Sequence, residues 1–384
     1  MFQFSGDLEI SKSWMNRALI LQSFSPHMHI QGDSMAEDVT LLKSALVDFA
    51  KNKKEFYTGL GGTTFRFLAF RLSRSPGEYF IRADEKLLSR PQTEIVNILK
   101  QLGVDAELNA QGLKIKSNGW QKPTNVLKIN SKDSSQFLSA LALSSLDLSF
   151  DLPMAAFEKI TSEGYFEMTL QMLKMCGIEF GKAGQKNELI NLCGEVDVSS
   201  AFSLIAAAVL NGDICIKNWT EKSTQPDIQF LDFFQRMNIR FESKNNSFKI
   251  QKQNNFRSLT ADLSNCPDLF PVLSVLCAFA DGESNLFNAP QLKNKESDRI
   301  EKTFELLNRC GFSIEKKTDG LIIQGNPEHT YKPKDFILFD PDHDHRMAMA
   351  AGLLMIKGFP IHLPDMNVVN KSYPQFFQHI GIQK

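Results

Sequence analysis

Six segments of the chain place small polar residues just ahead of apolar helical patterns, four of them with a Lys or Arg among them. They are Ser11-Lys12-Ser13-Trp14-Met15-Asn16-Arg17, Gly59-Leu60-Gly61-Gly62-Thr63-Thr64-Phe65-Arg66, Asp133-Ser134-Ser135-Gln136, Ser162-Glu163-Gly164-Tyr165, Lys293-Asn294-Lys295-Glu296-Ser297-Asp298-Arg299 and Asp342-His343-Asp344-His345-Arg346. Each reads as a helix start. Helix N-termini leave free N–H groups and carry about half a positive charge, so they receive anions. Taken singly, Ser, Thr and Asp there need be no more than caps. The cations change the reading, because Lys and Arg in a first turn oppose the helix dipole. On a helix, Lys295 and Arg299 would form a like-charge i, i+4 pair. Cations repeatedly set at unfavourable ends indicate several bound anions, phosphates or carboxylates.

Other chemistries are less well supported. No G-x-x-x-x-G-K-[ST] is present, which excludes a P-loop, and there is no G-x-S-x-G or Cys–His signature. Asp342-His343-Asp344-His345 has metal-ligand residue types, but a polar loop with Asp344 capping the next helix is the reading adopted. No metal is expected. Phe65, Phe67 and Phe70 read as core, and Lys51-Asn52-Lys53-Lys54 as a solvated loop.

The elements that must position these residues form a repeat. Four times a helical pattern ends in Gly or Asn, the αL cap residue, and passes through alternating apolar positions to a turn and a second apolar run. The copies are Leu102-Gly103-Val104-Asp105-Ala106 with Gly112-Leu113-Lys114-Ile115; Cys176-Gly177-Ile178-Glu179-Phe180 with Leu189-Ile190-Asn191-Leu192; Met237-Asn238-Ile239-Arg240-Phe241 with Phe248-Lys249-Ile250; and Cys310-Gly311-Phe312-Ser313-Ile314 with Gly320-Leu321-Ile322-Ile323. The unit is a helix followed by a β-hairpin, giving an α+β chain of repeated units. A polar seam near Gly194-Glu195-Val196-Asp197-Val198 precedes a further helix over 199–210.

The 384 residues suggest two domains. The formal net charge of −1 argues against wholesale binding to nucleic acid or an anionic membrane. The longest apolar stretch, 347–356, is far short of the roughly 20 residues of a membrane span. No basic segment followed by an apolar one marks a signal peptide at the N-terminus. The six scattered cysteines read as free thiols in a reducing cytoplasm.

The order of motifs resembles one family closely. Ser11-Lys12-Ser13…Asn16-Arg17, Gly62-Thr63-Thr64-Phe65-Arg66, Arg90-Pro91, Ser134-Ser135-Gln136-Phe137-Leu138, Lys295-Glu296-Ser297-Asp298-Arg299, Asp344-His345-Arg346-Met347-Ala348-Met349 and Lys371-Ser372-Tyr373-Pro374 run in the order seen in EPSP synthases (3-phosphoshikimate 1-carboxyvinyltransferases). The resemblance spans essentially the whole chain. It implies a two-domain, inside-out α/β barrel (the enolpyruvyl transferase fold) of repeated βαβαββ units, with helix N-termini facing an interdomain cleft. The expected domains are 1–8 plus 198–384, carrying Lys295, Arg299 and Arg346, and 9–197, carrying Lys12, Arg17, Arg90 and Ser134. The implied reaction moves the enolpyruvyl group of phosphoenolpyruvate to the 5-hydroxyl of shikimate 3-phosphate and releases phosphate. It needs no cofactor; the implied partners are these two small molecules, and a cytoplasmic monomer is expected.

Carried over by resemblance, Lys12, Ser13, Arg17, Ser134, Ser135, Gln136, Ser162, Tyr165, Asp268 and Lys295 hold shikimate 3-phosphate. Lys12, Gly62, Arg90, Gln136, Arg299, Arg346 and Lys371 surround phosphoenolpyruvate. Asp268, Glu296 and Lys12 are the proton-transfer candidates. The chain departs from the family where Leu60 replaces an Asn, where Gln291 replaces another, where Glu163 replaces a common cation, and in a segment shortened between Asp38 and Gly59 by about one strand pair. The nearest alternative is a UDP-N-acetylglucosamine enolpyruvyl transferase, which usually carries a loop cysteine; here no cysteine precedes Cys176. A non-catalytic anion-binding relative is the other alternative.

Overall fold

The computed structural model describes residues 2–155, 160–187, 189, 191–329 and 333–383. It divides into two compact units. One runs up to Ser11 and resumes at Glu195, and the other is Lys12–Gly194. The boundaries expected at 8/9 and 197/198 lie a few residues away, because Ile10 bridges Val196 and the Ser11 N–H donates to the Glu195 carbonyl. Both chain crossings thereby belong with the first unit.

In the unit Lys12–Gly194 the helices Lys12–Phe24, Gly62–Ser73 and Gln136–Leu143 are buried along most of their length. Phe65, Phe67 and Phe70 are fully enclosed, as their apolar pattern requires. A four-stranded sheet runs Glu55–Tyr57, Gly77–Arg82, Gly112–Ser117, Asp105–Asn109 in spatial order. Its first pair is parallel, with Phe56 opposite Ile81, and the others are antiparallel. Gly112 closes that hairpin at φ +153°, where a Cβ would lie 2.0 Å from the Ile81 carbonyl oxygen. Any side chain is excluded there.

The other unit repeats the plan. The helices Val198–Asn211, Phe270–Ala278 and His345–Ile356 are buried. One sheet orders Phe2–Gly6, Gly212–Ile216, Ser247–Gln251, Glu242–Lys244, and a second orders Thr260–Asp262, Gly282–Phe287, Leu321–Gly325, Ser313–Lys316. In both, a parallel pair is followed by an antiparallel hairpin. A shorter parallel pair joins Ile337–Leu338 to Ile361–His362.

All four repeat markers, Gly103, Gly177, Asn238 and Gly311, have positive φ (74°, 73°, 59° and 82°). Three of the four expected hairpins form, the one at Met237 displaced: 239–241 is not a strand, and Glu242–Lys244 pairs instead with Ser247–Gln251. The copy at Cys176 does not form: 178–180 is not a strand, and Asn191–Cys193 pairs in parallel with His29–Gln31. Gly181 and Gly184 turn the chain, and the Gln185 side chain takes both the N–H and the C=O of Glu179. The Gly181 carbonyl and Gly184 N–H then bond to Leu152 and Leu148. Ile190 lies outside the described residues. The helix Glu37–Ala50 passes through exposed Lys51–Lys54 straight into Glu55–Tyr57, with no strand pair between, as the shortened segment implied. Among the described residues no helix is long and apolar enough to cross a membrane.

Candidate active-site residues

In the unit Lys12–Gly194 the predicted anion ligands gather at helix starts. Lys12 opens its helix and pairs with Asp38 at 3.0 Å. The Asp38 carbonyl accepts from Thr64 Oγ1 at 2.8 Å, tying this helix start to the next. At Gly62, a Cβ would sit 3.4 Å from Arg90 Nη1 and 3.6 Å from Arg66 Nη1. Two guanidinium groups therefore flank a bare backbone at a helix N-terminus, where an anion meets both charge and N–H donors. Arg66 donates to Gln136 Oε1 (2.6 Å), Gln92 Oε1 (3.0 Å) and Ser134 Oγ (3.4 Å), so it carries the cluster on to Gln136–Leu143.

Arg17 is buried against neutral oxygens: Ser13 O (2.7 Å), Thr169 Oγ1 (2.7 Å), Tyr165 O (2.8 Å) and Ser139 Oγ (3.5 Å). Burial pushes its pKa down to about 9. It still carries its charge at neutral pH, in surroundings that favour an anionic partner. Ser135 Oγ donates to the Ser162 carbonyl at 3.0 Å. Ser162 precedes the helix Glu163–Met175 in the left-handed region (φ 56°) and makes no side-chain cap. Neither Ser135 nor Ser162 is spent on capping.

The other unit holds a denser charge cluster. Asp268 Oδ1 meets Arg299 Nη1 at 2.7 Å and Lys295 Nζ at 3.9 Å, and its Oδ2 meets Arg346 Nη2 at 3.4 Å. Glu296 accepts from Lys371 (2.8 Å) and Arg299 (3.2 Å). Asp344 accepts from Arg299 Nε (2.8 Å), Ser297 Oγ (3.1 Å) and the Arg346 N–H (2.9 Å), and caps the helix His345–Ile356. Four cations thus face three carboxylates. Burial alone would raise the Asp268 pKa, but Arg346, Arg299 and Lys295 together hold it well below the ordinary carboxylate range. Burial likewise opposes the charge on Arg299, while Asp344, Asp268 and Glu296 hold its pKa well above the usual value.

One reading of local structure is corrected. Lys295 and Glu296 do not sit in a first helical turn: a 3₁₀ turn covers Pro290–Asn294, and the helix Arg299–Arg309 starts only after Asp298, which caps it through the Ile300 and Glu301 N–H groups. The like-charge pair Lys295/Arg299 is therefore not a helical i, i+4 pair. Asp268 lies in the 3₁₀ turn Pro267–Leu269, just ahead of the helix Phe270–Ala278, and points its carboxylate at cations.

Sequence reasoning passed over Asp38, Arg66 and the second role of Asp344. Arg66 stands four residues after Gly62, which puts both on one helix face and could have flagged it. Among the described residues no group of three His, Cys, Asp or Glu side chains is placed to hold a metal ion.

The fold these units define has relatives among solved structures. An EPSP synthase from Acinetobacter baumannii superposes with a TM-score of 0.72 over 98% of this chain and 95% of that one, at 20% identity. The enolpyruvyl transferase NikO from Streptomyces tendae gives 0.68 over 99% and 94%, at 13% identity. Both share the mixed α/β architecture. At the level of sequence, the profile of EPSP synthase (3-phosphoshikimate 1-carboxyvinyltransferase) matches residues 16–380. The 3-phosphoshikimate 1-carboxyvinyltransferase of Syntrophobacter fumaroxidans is 27% identical, with 96% of this chain and 94% of that protein covered. That of Methanococcus maripaludis is 32% identical, covering 83% and 77%. The chain belongs to the EPSP synthase family.

Proposed function

We infer that this protein transfers the enolpyruvyl group of phosphoenolpyruvate to the 5-hydroxyl of shikimate 3-phosphate and releases inorganic phosphate, within the shikimate pathway to chorismate and the aromatic amino acids. The observation that carries the reading is the cluster of Arg299, Arg346, Lys295 and Lys371 around Asp268 and Glu296. Two multiply charged anions must be held side by side, and guanidinium forks suit phosphate and carboxylate.

In this reading Ser134, Ser135, Gln136, Ser162, Tyr165, Ser13, Arg17, Lys12, Asp268 and Lys295 hold shikimate 3-phosphate. Gly62, Arg90, Lys12, Gln136, Arg299, Arg346 and Lys371 hold phosphoenolpyruvate, and Arg66 joins them. The 5-hydroxyl oxygen attacks C2 of the enol as C3 gains a proton. The resulting adduct loses phosphate and the C3 proton. Asp268 takes the hydroxyl proton, and Glu296 and Lys12 share delivery to C3 and removal from it. A carboxylate held by three cations is a weak base. When anionic substrate engages Arg299 and Arg346, their pull on Asp268 weakens and its basicity rises.

The two units follow the family's inside-out barrel of βαβαββ repeats in this reading, supported by three sheets of one strand order and by buried helices whose starts carry the ligands. The enzyme works without a cofactor, as a monomer in the cytoplasm, where its free cysteines suit a reducing compartment. The test is phosphate release with each substrate alone and with both. Release that requires both supports the reading. Release that occurs with phosphoenolpyruvate and UDP-N-acetylglucosamine instead would replace it with the neighbouring transferase activity.

A further inference from the structure

Behind the charge cluster, the guanidinium of Arg346 has a loose end. Its Nη2 reaches Asp268, but its Nε is buried without a hydrogen-bond partner among the described residues. An Arg Nε–H is donor only, and leaving it unsatisfied in the interior is costly. Among the other buried side-chain groups with no hydrogen-bond partner in the described residues are the hydroxyls of Ser199 and Ser200 in the first turn of Val198–Asn211.

The register of two packed helices brings Ser199 and Arg346 to one place. Ser203 Oγ touches Met349 Sδ at 3.4 Å, so the helices Val198–Asn211 and His345–Ile356 face each other there. Ser199 lies one turn before Ser203, and Arg346 one turn before Met349, each on the contacting face. Both helices start at this end, since at their other ends the Asn211 side chain donates to the Ile356 carbonyl at 3.0 Å. Ser199 and Ser200 are 7% and 4% exposed and Arg346 3%, so bulk solvent does not satisfy them.

We propose that Ser199 is a positioning residue for Arg346: one buried water accepts from the Arg346 Nε–H and donates to the hydroxyls of Ser199 and Ser200. Three polar partners are what a buried water typically has. The bridge fixes the plane of the guanidinium, so that its Nη edge is presented to the substrate anion. This rests on the reading of Arg346 as a phosphoenolpyruvate ligand.

The test is steady-state phosphate release at varied phosphoenolpyruvate, on the full chain and on Ser199→Ala, Ser199→Thr and Arg346→Ala, with melting curves for each. Ser199→Ala is expected to raise KM for phosphoenolpyruvate about tenfold, the effect of one hydrogen bond to a charged group. Shikimate 3-phosphate affinity stays within twofold, and Ser199→Thr, which keeps the hydroxyl, stays near the parent KM. If Arg346→Ala raises KM and Ser199→Ala does not, the bridge is overturned and the ligand reading stands. If Arg346→Ala leaves KM unchanged, both fall. Should Ser199→Ala melt early, a crystal structure of the parent at about 1.5 Å decides. Water density between Arg346 Nε and Ser199 Oγ supports the bridge, and a protein atom bonded to Nε overturns it.

Discussion

Among single residues, Asp268 carries the most of the proposed chemistry. Its carboxylate is paired at 2.7 Å with Arg299 and lies 22% exposed at the side chain, so it is reachable and strongly held. Asp268→Asn keeps the shape and one acceptor oxygen but cannot take a proton. Turnover is expected to fall about 10²–10⁴-fold while shikimate 3-phosphate binding changes little, read by phosphate release beside a binding titration. A variant keeping most of its kcat would move the search for the base to Glu296 or Lys12. The lowered pKa of Asp268 has a second consequence. A depressed carboxyl contributes stability in full above its unfolded pKa, about 3.9, and loses it only as pH falls through the lower folded value. The melting-temperature difference between parent and Asp268→Asn should therefore stay constant from pH 7 to about pH 5. A difference that collapses over that range would show that the cations do not hold Asp268 as described. The motifs named Lys295, Glu296, Arg299, Arg346 and Lys371, which the structure gathers in one charge cluster with Asp268. Partners were not legible there: Asp38 and Lys12 stand 26 residues apart in the chain, and only the fold closes that distance to 3.0 Å.

At the scale of elements, the sequence announced helix starts and cap residues well and strand partners poorly. Caps are local chemistry, and the positive φ at Gly103, Gly177, Asn238 and Gly311 follows from residue type. The failed hairpin at Cys176 shows the limit. Its alternating pattern was sound, but the Gln185 side chain and two glycines diverted the backbone, a competition that periodicity does not register. The start of Gly62–Ser73 offers the cleanest test of a helix terminus as an anion site. A Cβ at Gly62 would make only ordinary contacts of 3.4–3.6 Å with Arg90 and Arg66, so the fold tolerates it. It would nonetheless occupy the cradle between those groups. Gly62→Ala should melt within a degree or two of the parent yet raise KM for phosphoenolpyruvate about tenfold or more, the effect of a lost charge-assisted contact. An unchanged KM would remove Gly62 from the anion site.

At the scale of the whole molecule, the chain is one polypeptide of 43.4 kDa in two units, each with cations at the starts of buried helices. The division was legible as a polar seam near Glu195, but its position was not. The seam is set by the bridge between Ile10 and Val196, a contact between residues far apart in the chain. With Asp268, Glu296 and Lys12 moving the protons in the proposed reaction, turnover is expected to persist in excess chelator. Loss of turnover, restored by a divalent ion, would bring Asp342, His343, Asp344 and His345 back as ligands. The central claim is the transfer itself, and phosphorus-31 spectroscopy of the protein with both substrates follows it directly. Inorganic phosphate is expected to appear one-for-one with loss of phosphoenolpyruvate, while the phosphate monoester of shikimate 3-phosphate persists in a new enol-ether product, with neither change when one substrate is omitted. Phosphate released from phosphoenolpyruvate without shikimate 3-phosphate, or no release with both present, would contradict that claim.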